Sequence, residues 1–238
     1  MVKTIKKLIG QIPGIKRAYQ ALQWKKFVWS DWFNTVFKRE IQIRTPFGFD
    51  LAARNYIANR MMLQGVFEFD EVELIKRQLE KCDVFIDVGA NIGFYTCIAR
   101  SMGRQVVAFE PQPHNLEFLY RNLVTNSWND VEVFPVGLGD HNDLMTLYGA
   151  SGPSASLVKG WAGYSTRTRQ IIPVNTMDTL IGHRFTGKKL LIKIDVEGAE
   201  YGVLLGAKNI ISQNRPVCFL EICLGEFHPG MKLAETDF

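Results

Sequence analysis

The stretch Val84-Phe85-Ile86-Asp87-Val88-Gly89-Ala90-Asn91-Ile92-Gly93 predicts a buried strand, a glycine turn and the start of a helix. The run from Val84 to Val88 is apolar except at Asp87, which is typical of a central strand in a parallel sheet. Residues 94–102 continue as a helix that Gly103 ends. In such a unit the crevice at the carboxyl end of the strand holds a cofactor, because glycine and the helix N-terminus expose backbone N–H groups there.

The spacing of the glycines argues against a dinucleotide. A G-x-G-x-x-G fingerprint requires glycine at the positions of Gly89, Asn91 and Phe94, and the first alone is glycine. Phe94 stands where a pyrophosphate site requires the smallest side chain. An adenosyl cofactor without a pyrophosphate therefore suits this turn better than NAD, although a glycine turn of any α/β protein explains the segment taken alone.

Two further strands bring acidic residues to the same edge of the predicted sheet. Residues 106–109 predict a buried strand that ends at Glu110, and a helix over 113–125 follows. An acid at this strand tip is placed to accept hydrogen bonds from both hydroxyls of a ribose. Asp140 lies in a predicted turn after a third strand over 131–136, where it can accept from an exocyclic adenine amine. An Asx turn explains Asp140 equally well.

A second stretch that carries polar residues is Leu190-Leu191-Ile192-Lys193-Ile194-Asp195-Val196-Glu197-Gly198-Ala199-Glu200. Residues 84–93 and 190–200 are called the two polar stretches below. Strand periodicity places Lys193 and Asp195 on one face, and a lysine in a buried strand requires an acidic partner. Asp195, or an acid on a neighbouring strand tip, is the expected partner. Asp195, Glu197 and Glu200 gather at the carboxyl end of the strand, where open α/β sheets bind ligands. We assign Glu200 to the helix N-terminus and Asp195 to the functional site.

Other segments surround this core. Alternating apolar residues predict a hairpin over 41–52. Glu68 precedes the next helix, either as a structural glutamate or at the rim of the site. Residues 144–182 interrupt the strand and helix alternation with two strands and a short helix, as a lid, an acceptor loop or a solvated connector. One helix over 203–211 and a fifth strand over 217–222 complete the predicted core.

The first 39 residues differ in charge from the rest of the chain. The 238 residues carry a formal net charge of +4, but residues 1–39 hold nine Lys or Arg against Asp31 alone, which leaves the remainder negative. No charge-free run reaches the ~20 residues of a membrane-spanning helix, and no signal-peptide core is evident. The segment predicts a basic amphipathic helical arm on an anionic membrane face, or helices packed on the core or on a partner subunit. Nucleic acid or an acidic partner is the less favoured alternative.

The four cysteines, Cys82, Cys97, Cys218 and Cys223, lie in or beside apolar segments. They show no close pairing and no histidines at zinc spacing. The pattern predicts reduced thiols, no metal site and a cytoplasmic protein, peripheral to a membrane if the basic arm binds one.

Taken together, the two polar stretches resemble the FkbM family of S-adenosylmethionine-dependent methyltransferases. The resemblance covers residues 65–222 in the family's order. The lysine, aspartate, glutamate and glycine block is its most specific part, whereas the glycine turn alone fits most methyltransferases of this fold. The matching pieces are Gly65-Val66-Phe67-Glu68, Asp87-Val88-Gly89-Ala90-Asn91-Ile92-Gly93, Phe109-Glu110-Pro111, Leu138-Gly139-Asp140, Lys193-Ile194-Asp195-Val196-Glu197-Gly198-Ala199-Glu200 and Leu220-Glu221-Ile222.

The resemblance implies a class I methyltransferase fold, which is an α/β, Rossmann-like domain with a mainly parallel, seven-stranded sheet and flanking helices. It implies S-adenosylmethionine as the cofactor and methyl transfer to an acceptor oxygen. The acceptor varies within the family, so we expect a small molecule or a glycan and name neither. The residues that the resemblance assigns to the cofactor are Asp87, Gly89, Asn91, Gly93, Glu110 and Asp140.

For catalysis, Asp195 or Glu197 is the candidate general base, with Lys193 tuning or anchoring it. The chain divides into the arm 1–39, a hairpin and helix over 40–80, and the cofactor-binding domain 81–238. The rival functions are a non-catalytic scaffold that binds a partner or a membrane through the arm, and an NAD oxidoreductase, which Asn91 and Phe94 disfavour.

The sequence departs from the resemblance at its end, because the final helix and the two-stranded hairpin that close such a sheet are absent before Phe238. We expect either a C-terminally truncated domain or an edge covered by the 41–52 hairpin or by another subunit.

Overall fold

The computed structural model of the chain describes residues 40–55, 57–149, 155–161 and 167–222. The basic arm and Cys223 lie outside the described residues, so the interpretations of the arm stay predictions. In chain order the elements are β1 (Glu40–Arg44), β2 (Asp50–Arg54), α1 (Ile57–Gln64), α2 (Phe69–Leu79), β3 (Val84–Val88), α3 (Phe94–Ser101), β4 (Gln105–Phe109), α4 (Pro113–Thr125), β5 (Glu132–Phe134), β6 (Gly137–Leu138), β7 (Asp143–Tyr148), β8 (Arg169–Asn175), α5 (Met177–Ile181), β9 (Leu190–Ile194), α6 (Glu200–Leu205), α7 (Lys208–Asn214) and β10 (Val217–Leu220).

A parallel five-stranded sheet forms the core, with the strand order β10-β9-β3-β4-β5. Every residue of β3 and of β9 is buried, as their apolar sequences predict for central strands. The predicted α/β class with a mainly parallel sheet is therefore confirmed. Because the strands are parallel, the carboxyl ends of β3, β4, β9 and β10 meet at one edge, and the polar residues of the two stretches follow those ends.

Helices cover both faces of this sheet. Phe85 of β3 packs with residues of the hairpin, α2 and α3, whereas its neighbour Ile86 packs with residues of α5, α6 and α7. This alternation follows from the period of two in a strand. Helix α3 begins after Gly93 and ends at Ser101, close to the predicted bounds, and Gly103 follows in the left-handed region at φ 77°.

A second, three-stranded sheet lies beside the core and is built by the segment that interrupts the alternation. Its order is β6-β8-β7, with β6 parallel and β7 antiparallel to β8. The predicted strands and short helix of this segment are confirmed. The predicted turn before Asp140 is wrong in part, because Gly137 and Leu138 pair with Val174 and Asn175 of β8.

The predicted single helix over 203–211 is also wrong, since α6 and α7 are separate helices. A Cβ atom at Gly206 would overlap the carbonyl oxygen of Gly139, so the chain passes in backbone contact with another loop at this point. The carboxylate of Asp178 accepts hydrogen bonds from the N–H groups of Asn209 and Ile210, at 2.8 and 3.0 Å. These bonds satisfy the first turn of a new helix.

The hairpin β1–β2 is confirmed, but it does not cover the edge of the core sheet. Its strands pair with each other, and the side chains of Asn122 in α4 and of Asn126 just after α4 bind the free edge of β2. Asn122 accepts from the N–H of Ala52 at 2.7 Å and donates to its carbonyl at 3.1 Å, while Asn126 accepts from the N–H of Asp50 at 2.9 Å. Within the described ranges, β9 is the one strand that pairs with β10.

Among the described cysteines, Cys82, Cys97 and Cys218 are free thiols. Among the helices of the described segments, none has the length and apolarity that crossing a bilayer requires.

Candidate active site

A cleft of about 660 Å³, its open mouth included, lies at the carboxyl ends of β3, β4 and β9. The cleft occupies the crevice that the strand and glycine turn predict. The residues assigned from the sequence that line it are Gly89, Asn91, Glu110, Asp195 and Glu197.

Gly89 joins the two polar stretches. Its φ angle is 84°, and its N–H donates to the carbonyl oxygen of Phe109 at 2.9 Å. A Cβ atom here would overlap the carbonyl oxygen of Asp195. The turn after β3 and the end of β9 are therefore in direct backbone contact, which glycine alone permits.

Gly93 serves the helix rather than the cleft. It precedes α3 at φ 87°, and a Cβ atom on it would collide with the side chain of Leu119 in α4. Gly93 does not line the cleft. Its assignment to the cofactor stays a prediction, and what the structure shows is close packing of the turn on α4.

Glu110 ties the glycine turn to the start of α4. Its side chain is buried, and Oε2 accepts a hydrogen bond from the N–H of Asn91 at 2.8 Å. Oε1 accepts from the N–H of Gln112 at 2.8 Å and from Nδ2 of Asn115 at 3.2 Å. Burial raises the pKa of Glu110 to about 7, against the lowering effect of these bonds. Sequence analysis missed Gln112 and Asn115, which begin a helix with Pro113 at its first position.

Asp87 lies below the cleft, not in its wall. It is 1% exposed, and Oδ2 accepts a hydrogen bond from Oγ1 of Thr96 at 2.6 Å. Across the sheet it is paired in register with Lys193. Burial raises the pKa of Asp87, while the charge of Lys193 lowers it. This position does not support direct contact with a cofactor, and that assignment stays a prediction.

The predicted pair of Lys193 and Asp195 is confirmed. Lys193 is 3% exposed, and its Nζ donates to Oδ2 of Asp195 at 2.8 Å. The same Nζ lies 4.7 Å from the ring centroid of Tyr95, whose hydroxyl donates to Oε2 of Glu68 at 2.7 Å. Burial lowers the pKa of Lys193, but the charges of Asp195 and Asp87 outweigh it and raise the pKa. Glu68 thus joins the site from the start of α2.

Glu197 binds a segment that covers the cleft. Its Oε2 accepts a hydrogen bond from Nε1 of Trp161 at 2.8 Å, and its carbonyl oxygen accepts from Oγ of Ser156 at 2.5 Å. The indole of Trp161 packs on Gly198, where a Cβ atom would come within 2.5 Å of the ring. Residues 155–161, the cover segment, therefore sit on the loop after β9. Asp195 and Glu197 each have one carboxylate oxygen bound, by Lys193 and by Trp161 respectively, so both stay candidates for the general base.

The residues that line the cleft indicate the role of residues 144–182, which interrupt the alternation of strands and helices. Ala155 and Leu157 line the cleft, and so do Leu147 of β7 and Ile172 of β8. The described part of this region therefore forms a wall of the site, which supports the lid or acceptor-loop interpretation over a solvated connector. The sequence near Trp161 does not indicate its role, because its hydrogen-bond partner Glu197 lies 36 residues away in the chain.

Replacing Trp161 by phenylalanine should lower the free energy of unfolding by about 1–3 kcal/mol, because a hydrogen bond to a carboxylate is lost while most ring contacts remain. Trp161→Ala should cost more, about 3–5 kcal/mol, since it also removes the packing on Gly198. Urea denaturation of the three proteins measures both. No loss in Trp161→Phe would show that the hydrogen bond to Glu197 contributes nothing, and equal losses in the two variants would show that the packing on Gly198 contributes nothing.

Two acids lie outside the cleft. Asp140 is exposed, and its Oδ1 lies 2.6 Å from Nδ1 of His141. Its predicted contact with adenine is therefore unsupported by this position. Glu200 is 2% exposed, and its Oε1 accepts from the N–H groups of Gly198 and Val196 at 2.9 and 3.3 Å. Its assignment to local structure at the start of α6 is confirmed. Within the described segments, no three His, Cys, Asp or Glu side chains are grouped to hold a metal ion.

Comparison with known proteins identifies the family. A family model of the methyltransferase FkbM domain matches residues 87–235. The hexuronic acid methyltransferase AglP of Haloferax volcanii is 30% identical over 164 residues, which cover 69% of this chain and 64% of that protein. Methyltransferase 1 of Beauveria bassiana is 28% identical over 167 residues, covering 57% of this chain and 67% of that protein. The chain thus spans less than two thirds of the length of AglP.

Among solved structures, a methyltransferase from Agrobacterium tumefaciens, described as SAM-dependent, aligns with 79% of this chain and 54% of its own. The sequence identity is 11% and the TM-score is 0.45, which is too low to support an argument about function. The family match covers more than half of the chain and includes residues 87–93 of the first polar stretch and all of the second, 190–200. The chain therefore belongs to the FkbM methyltransferase family.

Proposed function

We propose that this chain is an S-adenosylmethionine-dependent O-methyltransferase that acts on a hydroxyl group of a small molecule or glycan. One observation carries the proposal: Glu110 and Asp195 line the same cleft. The glycine turn lies between them, with Gly89 in backbone contact with Asp195. The cofactor supplies a methyl group already activated by a positively charged sulfur. The enzyme then has to align the acceptor hydroxyl and remove its proton.

The residues of the cleft suit an adenosyl group. The carboxylate of Glu110 is buried in the wall and can accept hydrogen bonds from a ribose diol. Phe109, Leu138 and Ile172 supply apolar lining on which a flat base can pack. Gly89 and Asn91 expose backbone at the turn. We therefore assign the cofactor to Gly89, Asn91 and Glu110.

The acceptor side is assigned to the end of β9. Lys193 holds one carboxylate oxygen of Asp195 by a hydrogen bond and an opposite charge. This bond fixes the direction of the carboxylate, whose other oxygen can take the acceptor proton. The name of the relative from Haloferax volcanii, a hexuronic acid methyltransferase, supports a sugar as the acceptor.

Replacing Glu110 by glutamine should weaken S-adenosylmethionine binding on the order of 10–100-fold. A charge-assisted bond to the ribose is lost, and such a bond contributes about 1.5–3 kcal/mol. Titration calorimetry measures the change. Glu117→Gln is the matched control, because Glu117 is exposed on α4 and does not line the cleft. Unchanged affinity in Glu110→Gln, or no binding by the wild type, would contradict the proposed cofactor site.

Catalysis is tested separately from binding. Incubation with methyl-labelled S-adenosylmethionine and a panel of neutral and acidic sugars should label one acceptor class. Tight cofactor binding without transfer to any acceptor would favour the non-catalytic scaffold instead.

A further inference from the structure

Glu68, directly before α2, has a backbone conformation that glutamate rarely adopts. Its φ and ψ angles are 42° and 46°, in the left-handed region, where a Cβ atom is unfavourable. Strained backbone of this kind persists where surrounding contacts hold it, and it is concentrated at functional sites. The partner of the Glu68 side chain therefore bears on the function of the site.

That partner is Tyr95 of α3. Tyr95 is 7% exposed, and its hydroxyl donates to Oε2 of Glu68 at 2.7 Å. Aromatic packing holds the two segments together beside this bond. The ring of Phe94 meets the rings of Phe67 and Tyr95 edge-on, with centroids 6.0 and 5.3 Å apart. The bond thus joins two residues 27 positions apart in the chain whose neighbours are packed on each other.

The ring of Tyr95 also contacts Lys193. Nζ of Lys193 lies 4.7 Å from the ring centroid, within the ~6 Å of a cation–π contact. Lys193 is 3% exposed, and a cation–π contact is stronger away from water. A hydroxyl that donates to a carboxylate makes its ring richer in electrons. The bond to Glu68 therefore strengthens the attraction between the ring and the ammonium group.

Lys193 connects this pair to the wall of the cleft. Its Nζ donates to Oδ2 of Asp195 at 2.8 Å, and Asp195 lines the cleft, whereas Glu68 and Tyr95 do not. An ammonium group carries three donors on a flexible stem, so one bond to a carboxylate does not fix its position. The ring of Tyr95 supplies a second contact. The contacts that begin at Glu68 therefore end at a candidate general base.

We propose that Glu68 and Tyr95 are positioning residues, which hold Lys193 and thereby direct the carboxylate of Asp195 toward the acceptor hydroxyl. The inference rests on the proposed function and deepens it, because it adds two residues to the same site. Misplacement of a reacting group by about 1 Å can lower a rate on the order of 100-fold. Loss of the bond between Glu68 and Tyr95 should therefore lower kcat far more than cofactor affinity.

The first experiment compares turnover with cofactor binding. Turnover is measured with methyl-labelled S-adenosylmethionine and the acceptor class that the sugar panel identifies, and the Kd of S-adenosylmethionine is measured by titration calorimetry. Tyr95→Phe keeps the ring and loses the hydroxyl, so it should lower kcat about 10-fold and change Kd less than about 2-fold. Tyr120→Phe is the matched control and should behave as the wild type, because Tyr120 is exposed on α4 and does not line the cleft. An unchanged kcat in Tyr95→Phe would overturn the inference.

Variants of Glu68 separate positioning from stability. Glu68→Ala should lower kcat as Tyr95→Phe does, and the double variant should lose no more than either single variant, because both remove one bond. Glu68→Gln keeps an oxygen that can accept from Tyr95, so it should recover part of kcat. Glu68→Gly removes the cost of the left-handed backbone. It should unfold at a higher urea concentration than Glu68→Ala and have the same low kcat.

Two results would contradict a positioning role for Glu68. If kcat rose together with stability from Glu68→Ala to Glu68→Gly, Glu68 would act on stability alone. If the losses in the double variant were additive, the two residues would not act through one bond. A wild type that bound no S-adenosylmethionine, or that methylated no acceptor, would instead contradict the proposed function and the inference with it. That failure is distinct from an active wild type whose kcat does not depend on the hydroxyl of Tyr95.

Discussion

Gly89→Ala is expected to abolish detectable S-adenosylmethionine binding and to lower the free energy of unfolding by more than about 2 kcal/mol. The φ angle of 84° alone costs an alanine about 1–2 kcal/mol. The added Cβ atom would also overlap the carbonyl oxygen of Asp195. Because that atom is backbone, relief requires the end of β9 to move away from the turn. The turn after β3 and the end of β9, which form two walls of the proposed cofactor site, would then shift relative to each other.

Gly103→Ala is the matched control for this prediction. Gly103 has a φ angle of 77°, and a Cβ atom on it would meet no atom within 4 Å. Gly103→Ala should therefore lower the free energy of unfolding by about 1–2 kcal/mol, because of the backbone conformation alone. The variant should bind the cofactor as the wild type does. Urea denaturation and titration calorimetry measure the two effects. If both variants lost the same stability and both bound the cofactor, the contact between Gly89 and Asp195 would have no functional importance.

The parts of the fold that the sequence predicts are those decided by near neighbours. Strand β3, its turn and helix α3 follow from an apolar run and two glycines within 20 residues. The pair of Lys193 and Asp195 follows from strand periodicity, because residues two apart share a face. Local patterns therefore locate the core of the site and its main ion pair.

The features that escaped prediction depend on contacts between distant segments. Asn122 binds the edge of the hairpin 70 residues earlier in the chain, and nothing near Asn122 indicates this. The break between α6 and α7 reflects backbone contact at Gly206 with a loop from the other sheet. Glu197 is a candidate general base from the sequence, and nothing near it indicates that its carboxylate accepts a hydrogen bond from Trp161 of the cover segment. Periodicity carries no information about such partners.

Lys193→Met should lower the free energy of unfolding by about 3–5 kcal/mol, which is the usual cost of removing one partner from a buried ion pair. Methionine keeps much of the side-chain volume, so the loss arises mainly from charge. Asp87 and Asp195 would remain without their cation in and beside the sheet. Lys188→Met is the control, because Lys188 is exposed, and it should change stability by less than about 0.5 kcal/mol.

The pH dependence of this loss separates charge from packing. Lys193 lowers the pKa of Asp87, so its removal raises that pKa further above the ordinary value. A carboxyl group with a raised folded-state pKa binds more protons when folded than when unfolded, so stability falls as pH rises through that pKa. Denaturation at about pH 5 and about pH 8 should therefore show a larger loss at the higher pH. A loss equal at both pH values would show that the loss does not arise from the ionised form of Asp87.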